Sequence, residues 1–265
     1  MESFVKIVVC IKQVPDTTDI KWTENNTIQR EGVESIINPF DEYALETALN
    51  IKDENNAHVT AITMGPPQAE DILKKAIAMG ADDAALISDK KFSGSDTVAT
   101  SRTLAATIKE KFPDFDLIIC GQFATDGDTA QTGPSIAQNL DIPQVTYVKE
   151  IIEIKENSII VKKEVEDGDE ILEITLPGLI CIQKSQASSR PIPIKGYMKA
   201  QDKKVPVYNS QDIKLDAEVI GIKGSPTYVS KAFRPEIKKQ CEFIKTGSTA
   251  ETIAILAEKI KESIG

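Results

Sequence analysis

Short, continuous apolar runs alternate in the first half of the chain with segments whose apolar residues recur every three or four positions. The continuous runs are rich in β-branched residues, which predicts strands buried on both faces, at 5–10, 58–64, 84–87 and 116–120. The periodic segments predict four helices. The first begins at Asn38 and Pro39, and the others cover 68–79, 95–112 and about 132–139. Strands that alternate with helices predict an α/β fold, a parallel sheet with helices on both faces.

The pattern changes after Pro143. Four further strand-like runs follow, at 145–154, 158–165, 170–176 and 178–182, and we predict that they extend or cap the sheet as antiparallel strands. From about residue 188 the chain is irregular and contains several prolines. A last amphipathic helix is predicted from Ser248, with Glu251 completing a capping box. We therefore predict two parts, a sheet domain over 1–187 and a loop with a C-terminal arm over 188–265.

Composition narrows the functional classes. The net charge of -10 argues against a nucleic-acid binder, which needs a basic face. None of the four cysteines (Cys10, Cys120, Cys181 and Cys241) forms a C-x-x-C pair, so we expect no zinc or iron–sulfur site. We interpret the cysteines as buried free thiols of a protein in the reducing cytoplasm. The start has no signal-peptide pattern and no run is long enough to span a bilayer, so we expect a soluble, cytoplasmic protein without membrane insertion.

Catalytic signatures are scarce. His58 is the single histidine and opens a predicted strand, which disfavours Ser-His-Asp and Cys-His catalysis. Neither a G-x-G-x-x-G fingerprint nor a P-loop occurs. We therefore expect no catalytic residues and no complete active site on this chain alone.

The most informative segment is the loop from Gly121 to Pro134, which follows the fourth predicted strand and leads into a helix. Gly127 and Gly133 allow tight turns, and Thr132 suits a helix cap. Free N–H groups at the start of that helix would then face an anion at the carboxyl ends of parallel strands. The alternative to an anion-binding loop is a polar loop that only connects the strand to the helix. The length of this glycine-containing turn between buried elements favours binding.

The segment Val161-x-Lys163-x-x-Glu166-Asp167-Gly168-x-Glu170-x-Leu172, continued to Cys181, resembles the signature of electron-transfer flavoprotein beta subunits. Four further segments are similar and occur in family order: 10–16, 38–41, 63–66 and 126–134. The resemblance implies a Rossmann-like, nucleotide-binding domain over 1–187. It also implies a heterodimer in which residues 188–265 recognise partners and pack on an alpha subunit.

The resemblance further implies an adenine-nucleotide site at the ends of the first two strands, the Asn-Pro-Phe-Asp turn and the loop after the fourth strand. The implied lining residues are Cys10, Ile11, Lys12, Asn38, Phe40, Asp41, Thr63, Met64, Gly65, Gly121, Gln122, Thr125, Asp126, Thr129, Ala130, Gln131, Thr132 and Gly133.

Ala130 stands where ordinary family members tend to carry an asparagine, and Gly94-Ser95-Asp96-Thr97 is also similar to the electron-bifurcating branch. That branch implies FAD where ordinary members hold AMP, with Asp96 and Thr97 added to the site. It also implies NAD as electron donor or acceptor, ferredoxin, and a flavin-dependent dehydrogenase of the acyl-CoA, enoyl-CoA or lactate type. Two alternatives remain, an ordinary beta subunit that binds AMP structurally and a stand-alone adenine-nucleotide sensor. The C-terminal arm disfavours the second.

The segment 188–200 resembles the family's partner-recognition loop. Its apolar residues Ile192, Ile194, Tyr197 and Met198 are the expected contacts with the dehydrogenase, and Ile194 is the nearest counterpart of the anchoring residue. Flanking prolines stiffen the loop and lower the entropy lost on docking. The alternative is a plain linker into a short helix.

Overall fold

Eleven strands and six α-helices make up the computed structural model, which describes residues 5–16, 35–184, 189–230 and 242–264. The strands are β1 (Lys6–Cys10), β2 (Gln13–Pro15), β3 (Ser35–Ile37), β4 (His58–Met64), β5 (Asp83–Ile87), β6 (Leu117–Gly121), β7 (Gln144–Ile154), β8 (Ser158–Val165), β9 (Gly168–Thr175), β10 (Gly178–Ile182) and β11 (Val207–Tyr208). The helices are α1 (Pro39–Asn55), α2 (Glu70–Met79), α3 (Thr97–Lys111), α4 (Thr132–Leu140), α5 (Ile194–Asp202) and α6 (Thr249–Ile264).

The central sheet has the strand order β11-β5-β4-β1-β6-β10-β7-β8-β9. Strands β1, β4, β5 and β6 are the four predicted from continuous apolar runs, and all pair in parallel. Alternate residues of β1 supply the two layers of the core: Ile7 and Val9 pack with α1 and α2, whereas Val8 packs with α3 and α4. The chain winds from β1 outward through β4 and β5, then crosses to β6 on the other side of β1. The order therefore reverses between β1 and β6, where open α/β sheets form their ligand crevice.

One prediction about the second half is wrong. The runs at β7, β8 and β9 form antiparallel pairs as expected, but β10 pairs in parallel with both β6 and β7 and lies inside the sheet. All five β10 residues are buried, which is typical of a central parallel strand. The continuous apolar sequence of 178–182 was the signal for this placement.

The chain divides into two compact units, up to residue 230 and from residue 231. In the first unit, the described part of the predicted arm is attached to the sheet domain, because β11 pairs with β5 and α5 packs on α2. The second unit contains α6, where the Ser248 Oγ accepts from the Glu251 N–H at 3.3 Å, one half of the predicted capping box. Cys241, Pro235 and Ser188 lie outside the described residues. No helix in the described ranges is long and apolar enough to cross a membrane.

Candidate nucleotide-binding site

The predicted site residues lie at the carboxyl edge of the sheet, around the switch point between β1 and β6. Cys10 is in register with Ile62 on one side and Cys120 on the other, and the Ile11 N–H donates to the Ile62 carbonyl at 2.9 Å. Lys12 and Gly121 therefore leave the sheet side by side. His58 lies at the opposite edge, 3.0 Å from Asp83.

Asn38 ties together three segments that converge there. Its side chain is completely buried; Nδ2 donates to the Phe123 carbonyl at 2.8 Å and Oδ1 accepts from the Thr125 N–H at 3.1 Å. Its own N–H donates to the Lys12 carbonyl at 2.9 Å. Asn38 is at the N-cap position of α1, as predicted, but its side chain does not cap the helix. Instead it fixes the loop after β6, and the Phe123 ring packs against the Phe40 ring at a tilt of 42°, with 4.2 Å between ring centroids.

Asn38→Ala is expected to lower the free energy of unfolding by about 2–3 kcal/mol, because it removes a completely buried side chain that makes two hydrogen bonds to the loop after β6. Asn139→Ala, which removes an exposed asparagine on α4, is the matched control and is expected to change stability by less than about 0.5 kcal/mol. Urea unfolding of both variants measures the difference. Equal stabilities would contradict the role assigned to Asn38.

Asp41 is the buried carboxyl group of the site. Its Oδ2 accepts from the Lys12 N–H at 2.7 Å, and this bond favours the ionised form. Burial outweighs it and raises the pKa of Asp41 from 3.8 to about 7. Gly121 is required beside it, since a Cβ there would lie 2.7 Å from the Phe40 carbonyl carbon and 2.8 Å from the Asp41 nitrogen.

This raised pKa of Asp41 predicts a pH-dependent stability. An unfolded Asp releases its proton near its ordinary pKa of 3.8, whereas the folded Asp41 holds it to about pH 7. The free energy of unfolding should therefore fall as pH rises through that window, by on the order of 4 kcal/mol, and then level off. Asp41→Asn should remove this contribution. Urea midpoints across the window test it, with Asp114→Asn as control for the loss of an exposed carboxylate; an unchanged slope in Asp41→Asn would contradict it.

The loop between β6 and α4 carries the predicted polar residues. The Lys12 ammonium pairs with the Asp126 carboxylate at 2.6 Å, which brings a cation to the crevice. The predicted tight turn occurs at Gly127, whose N–H donates to the Ala124 carbonyl at 3.1 Å, whereas Gly133 lies in α4. The left-handed backbone of the loop falls at Asp128 (φ 47°) and Ala130 (φ 53°). Thr125 and Thr129 are exposed, and the Gln122 N–H donates to the Ile182 carbonyl at 2.8 Å.

Helix α4 begins at Thr132, with Gln131 rather than Thr132 at the N-cap position. The N–H groups of Thr132 and Gly133 belong to the first turn, where an α-helix offers no internal acceptor. Gly133 is buried, and a Cβ there would collide with the Cys181 Sγ. Gly133 is therefore needed for close packing of α4 on the sheet, with its N–H in the part of the helix that attracts anions.

The end of strand β4 lies at the same edge of the sheet. Met64 is in register with Ile87, and the Gly65 N–H donates to the Ile87 carbonyl at 3.0 Å. Thr63 is buried, and its hydroxyl has no hydrogen-bond partner within the described part of the chain. Buried hydroxyl groups are usually hydrogen-bonded, so Thr63 is an exception at this edge of the sheet.

Asp96 and Thr97 have different surroundings. One Asp96 oxygen caps α3 by accepting from the Val98 and Ala99 N–H groups, and the other accepts from the Thr227 N–H and hydroxyl at 3.0 and 2.7 Å. The Asp96 carboxylate is thus engaged in holding the 225–227 segment. The Thr97 hydroxyl contacts Gln131 Oε1 at 3.1 Å and so adjoins the loop.

The predicted partner-recognition residues lie together at α5. Ile194 is 82% exposed, Tyr197 59%, Met198 61% and Ile192 40%. We name these four residues the α5 patch. Sequence analysis did not identify Arg190, which anchors the segment by donating to both Glu46 oxygens at 3.0 and 3.1 Å. Arg190 also contacts Asp53 and Asn50 on α1. These bonds attach the segment that precedes the α5 patch to α1.

The mostly parallel sheet, with polar loops at the switch point between β1 and β6, places this protein in the class of open, doubly wound α/β folds. Comparisons with known proteins are more specific. The electron transfer flavoprotein domain matches residues 25–213. The chain is 46% identical over 259 residues to the electron transfer flavoprotein subunit beta of Clostridium acetobutylicum, covering 97% of this chain and 98% of that one. It is 47% identical over 261 residues to the caffeyl-CoA reductase-Etf complex subunit CarD of Acetobacterium woodii, with the same coverage.

Protein FixA of Azotobacter vinelandii is 44% identical over 246 residues, covering 90% of this chain and 88% of that one. The chain belongs to the electron transfer flavoprotein family, and its full-length similarity is to beta subunits.

Proposed function

We propose that this chain is an electron-transfer subunit that binds FAD at the β1–β6 crevice and, with an alpha subunit, divides electrons between acceptors. The observation that best supports this proposal is that Lys12, Asn38 and the first turn of α4 converge at the switch point of the sheet. Two electrons from NADH would go one to ferredoxin and one towards a flavin-dependent dehydrogenase, or run in reverse. We also propose that the protein is cytoplasmic.

The residues at the crevice fit an adenine dinucleotide. The N–H groups of Thr132 and Gly133 at the positive end of α4 suit a phosphate. Lys12 adds a cation, which can leave the Asp126 carboxylate and pair with the phosphate. The Thr63 hydroxyl is a further polar group without a partner in the described structure. When bound, FAD supplies the redox chemistry that protein side chains lack. The chain's own residues bind, orient and shield it.

Two relatives support a role in a larger complex. CarD is named as a subunit of a caffeyl-CoA reductase-Etf complex, and a protein of Anaerotignum propionicum, 42% identical over 265 residues, is named acryloyl-CoA reductase electron transfer subunit gamma. Both names pair an electron-transfer subunit with a reductase of a CoA thioester. We therefore propose a CoA-ester dehydrogenase or reductase as the partner, docked at the α5 patch.

The ligand count of the heterodimer tests the proposed function. Co-expressed chain and alpha subunit should release two FAD per heterodimer on denaturation, measured by mass spectrometry and absorbance. One FAD with one AMP would contradict the FAD proposal and leave an ordinary beta subunit with structural AMP. Nucleotide bound by this chain with no affinity for the alpha subunit would favour a stand-alone sensor.

Ile194→Asp is expected to lower kcat/KM for reduction of the co-purifying dehydrogenase at least about tenfold, because exposed apolar anchors carry much of an interface's energy. The side chain is 82% exposed, so the fold should not change. Ile171→Asp is the matched control, since Ile171 is 67% exposed on β9, away from α5. Stopped-flow reduction kinetics distinguish the two. Equal losses in both variants would contradict docking at the α5 patch.

A further inference from the structure

Three cysteines stand in a row across the centre of the sheet. Cys10, Cys120 and Cys181 are direct register partners on the adjacent parallel strands β1, β6 and β10. Residues in register on neighbouring strands point to the same face and lie about 4.8 Å apart. That separation falls within the Cα distances that disulfides span, about 4.4–6.8 Å. The Cys120 thiol also contacts the thiols of both Cys10 and Cys181, so either neighbouring pair is a candidate for a bridge.

The row runs from the crevice into the core. Cys10 is half-buried, whereas Cys120 and Cys181 are 5% and 2% exposed. The adjacent Cys10 thiol raises the pKa of Cys120, and the Cys120 thiol together with burial raises the pKa of Cys181. The two inner groups are thus protonated thiols shielded from reagents, and only Cys10 has access to solvent. Its place beside Ile11 and Lys12 puts that access at the nucleotide crevice.

Cys181, the most buried cysteine of the row, contacts the first turn of α4 at Gly133. Gly133 packs so closely on Cys181 that a Cβ would collide with its sulfur, and that Cβ would lie 3.5 Å from the Cys120 Cβ. A change in the bonding of Cys181 or Cys120 therefore acts directly on the first turn of α4.

We propose that this row is a peroxide-modification site, in which Cys10 is oxidised and Cys120 closes a disulfide beneath the nucleotide crevice. The Cys10 sulfur attacks a peroxide oxygen; an S–O bond forms, the O–O bond breaks, and the thiol proton leaves with hydroxide as water. The Cys120 sulfur then attacks the Cys10 sulfur; an S–S bond forms, the S–O bond breaks, and the Cys120 thiol proton leaves with the released hydroxide as a second water. Cys10 and Cys120 together lose two electrons, which reduce the peroxide.

Cys181 can then take over the bridge. Its thiol exchanges with the Cys10–Cys120 disulfide, forming a Cys120–Cys181 bond and returning Cys10 to a thiol without net oxidation. Under the proposed function, a bound nucleotide covers Cys10 and slows the first step. Occupancy of the nucleotide site then protects the row from oxidation.

Hydrogen peroxide treatment of the full-length chain carrying Cys241→Ser tests the site. The expected product is a mass loss of about 2 Da, the two hydrogens of a disulfide, with peptide mapping that joins Cys120 to Cys10 or Cys181. Adding Cys120→Ser should stop the reaction at a Cys10 sulfenic acid that dimedone traps, and Cys181→Ser should leave only the Cys10–Cys120 bond. Should Cys120→Ser fail to fold, the map of the parent protein still decides.

Absence of any disulfide among the three, or oxidation of Cys120 while Cys10 stays reduced in a Cys181→Ser protein, would overturn the proposal. Excess AMP or FAD should slow Cys10 oxidation at least about tenfold, as expected for a covered thiol. A disulfide that forms equally fast with nucleotide present would support the modification site and contradict the placement of Cys10 in the nucleotide site.

Discussion

Gly133→Asp is expected to abolish nucleotide binding, with the largest loss of any single substitution in the loop. Two effects act together. The new carboxylate would stand among N–H groups at the positive end of α4 that suit an anion. Its Cβ would also collide with the Cys181 sulfur and push the first turn of α4 away from the sheet. Nucleotide released from purified protein, measured by mass spectrometry, should fall below about a tenth of the wild-type amount.

Gly127→Asp is the matched control, because it adds the same carboxylate to the same loop at a position where a Cβ meets nothing within 4 Å. It should retain its nucleotide. Gly133→Ala separates the steric effect from the charge, and a smaller loss than in Gly133→Asp is expected. Full nucleotide content in Gly133→Asp would show that the site lies elsewhere.

The sheet was largely predictable from sequence, because buried parallel strands need continuous apolar runs and those runs are unambiguous at β1, β4, β5 and β6. Direction was harder to predict for β10. Its neighbours in sequence form antiparallel pairs, and it differs from them in its continuous apolar sequence and its complete burial. Strand pairing depends on tertiary contacts, which local patterns do not encode.

The meeting of the predicted site residues at the carboxyl edge of β1 and β6 was predictable from sequence, whereas their individual contacts were less so. Asn38 and Gly133 were identified from helix-start patterns, yet each acts through a contact distant in sequence: Asn38 with the loop after β6 and Gly133 with Cys181. Asp96 was expected in the ligand site because of its motif, but its carboxylate is engaged by α3 and Thr227. Side chains of Asn and Asp bond equally well to nearby or distant backbone, so sequence alone does not choose the partner.

Ala130→Asn is expected to exchange FAD for AMP while preserving the fold and binding of the alpha subunit. Ala130 is in the left-handed region at φ 53°, a conformation that asparagine adopts more readily than alanine, so the backbone should accept the change. The longer side chain would crowd the path beside the pyrophosphate that FAD needs and AMP does not. Overpacking costs about 1–3 kcal/mol, which corresponds to a shift in the FAD-to-AMP ratio of about 5- to 150-fold.

The measurement is mass spectrometry of the ligands released from heterodimers of wild type and variant, together with NADH-driven ferredoxin reduction. Ferredoxin reduction should fall with the lost flavin, whereas electron transfer through the alpha-subunit flavin should persist. Asp128→Asn is the matched control, because Asp128 is also left-handed (φ 47°) but exposed, and its ligand content should stay that of the wild type. A variant that keeps two FAD per heterodimer would show that Ala130 does not select the nucleotide. A wild type that already carries AMP would remove the basis of the selection.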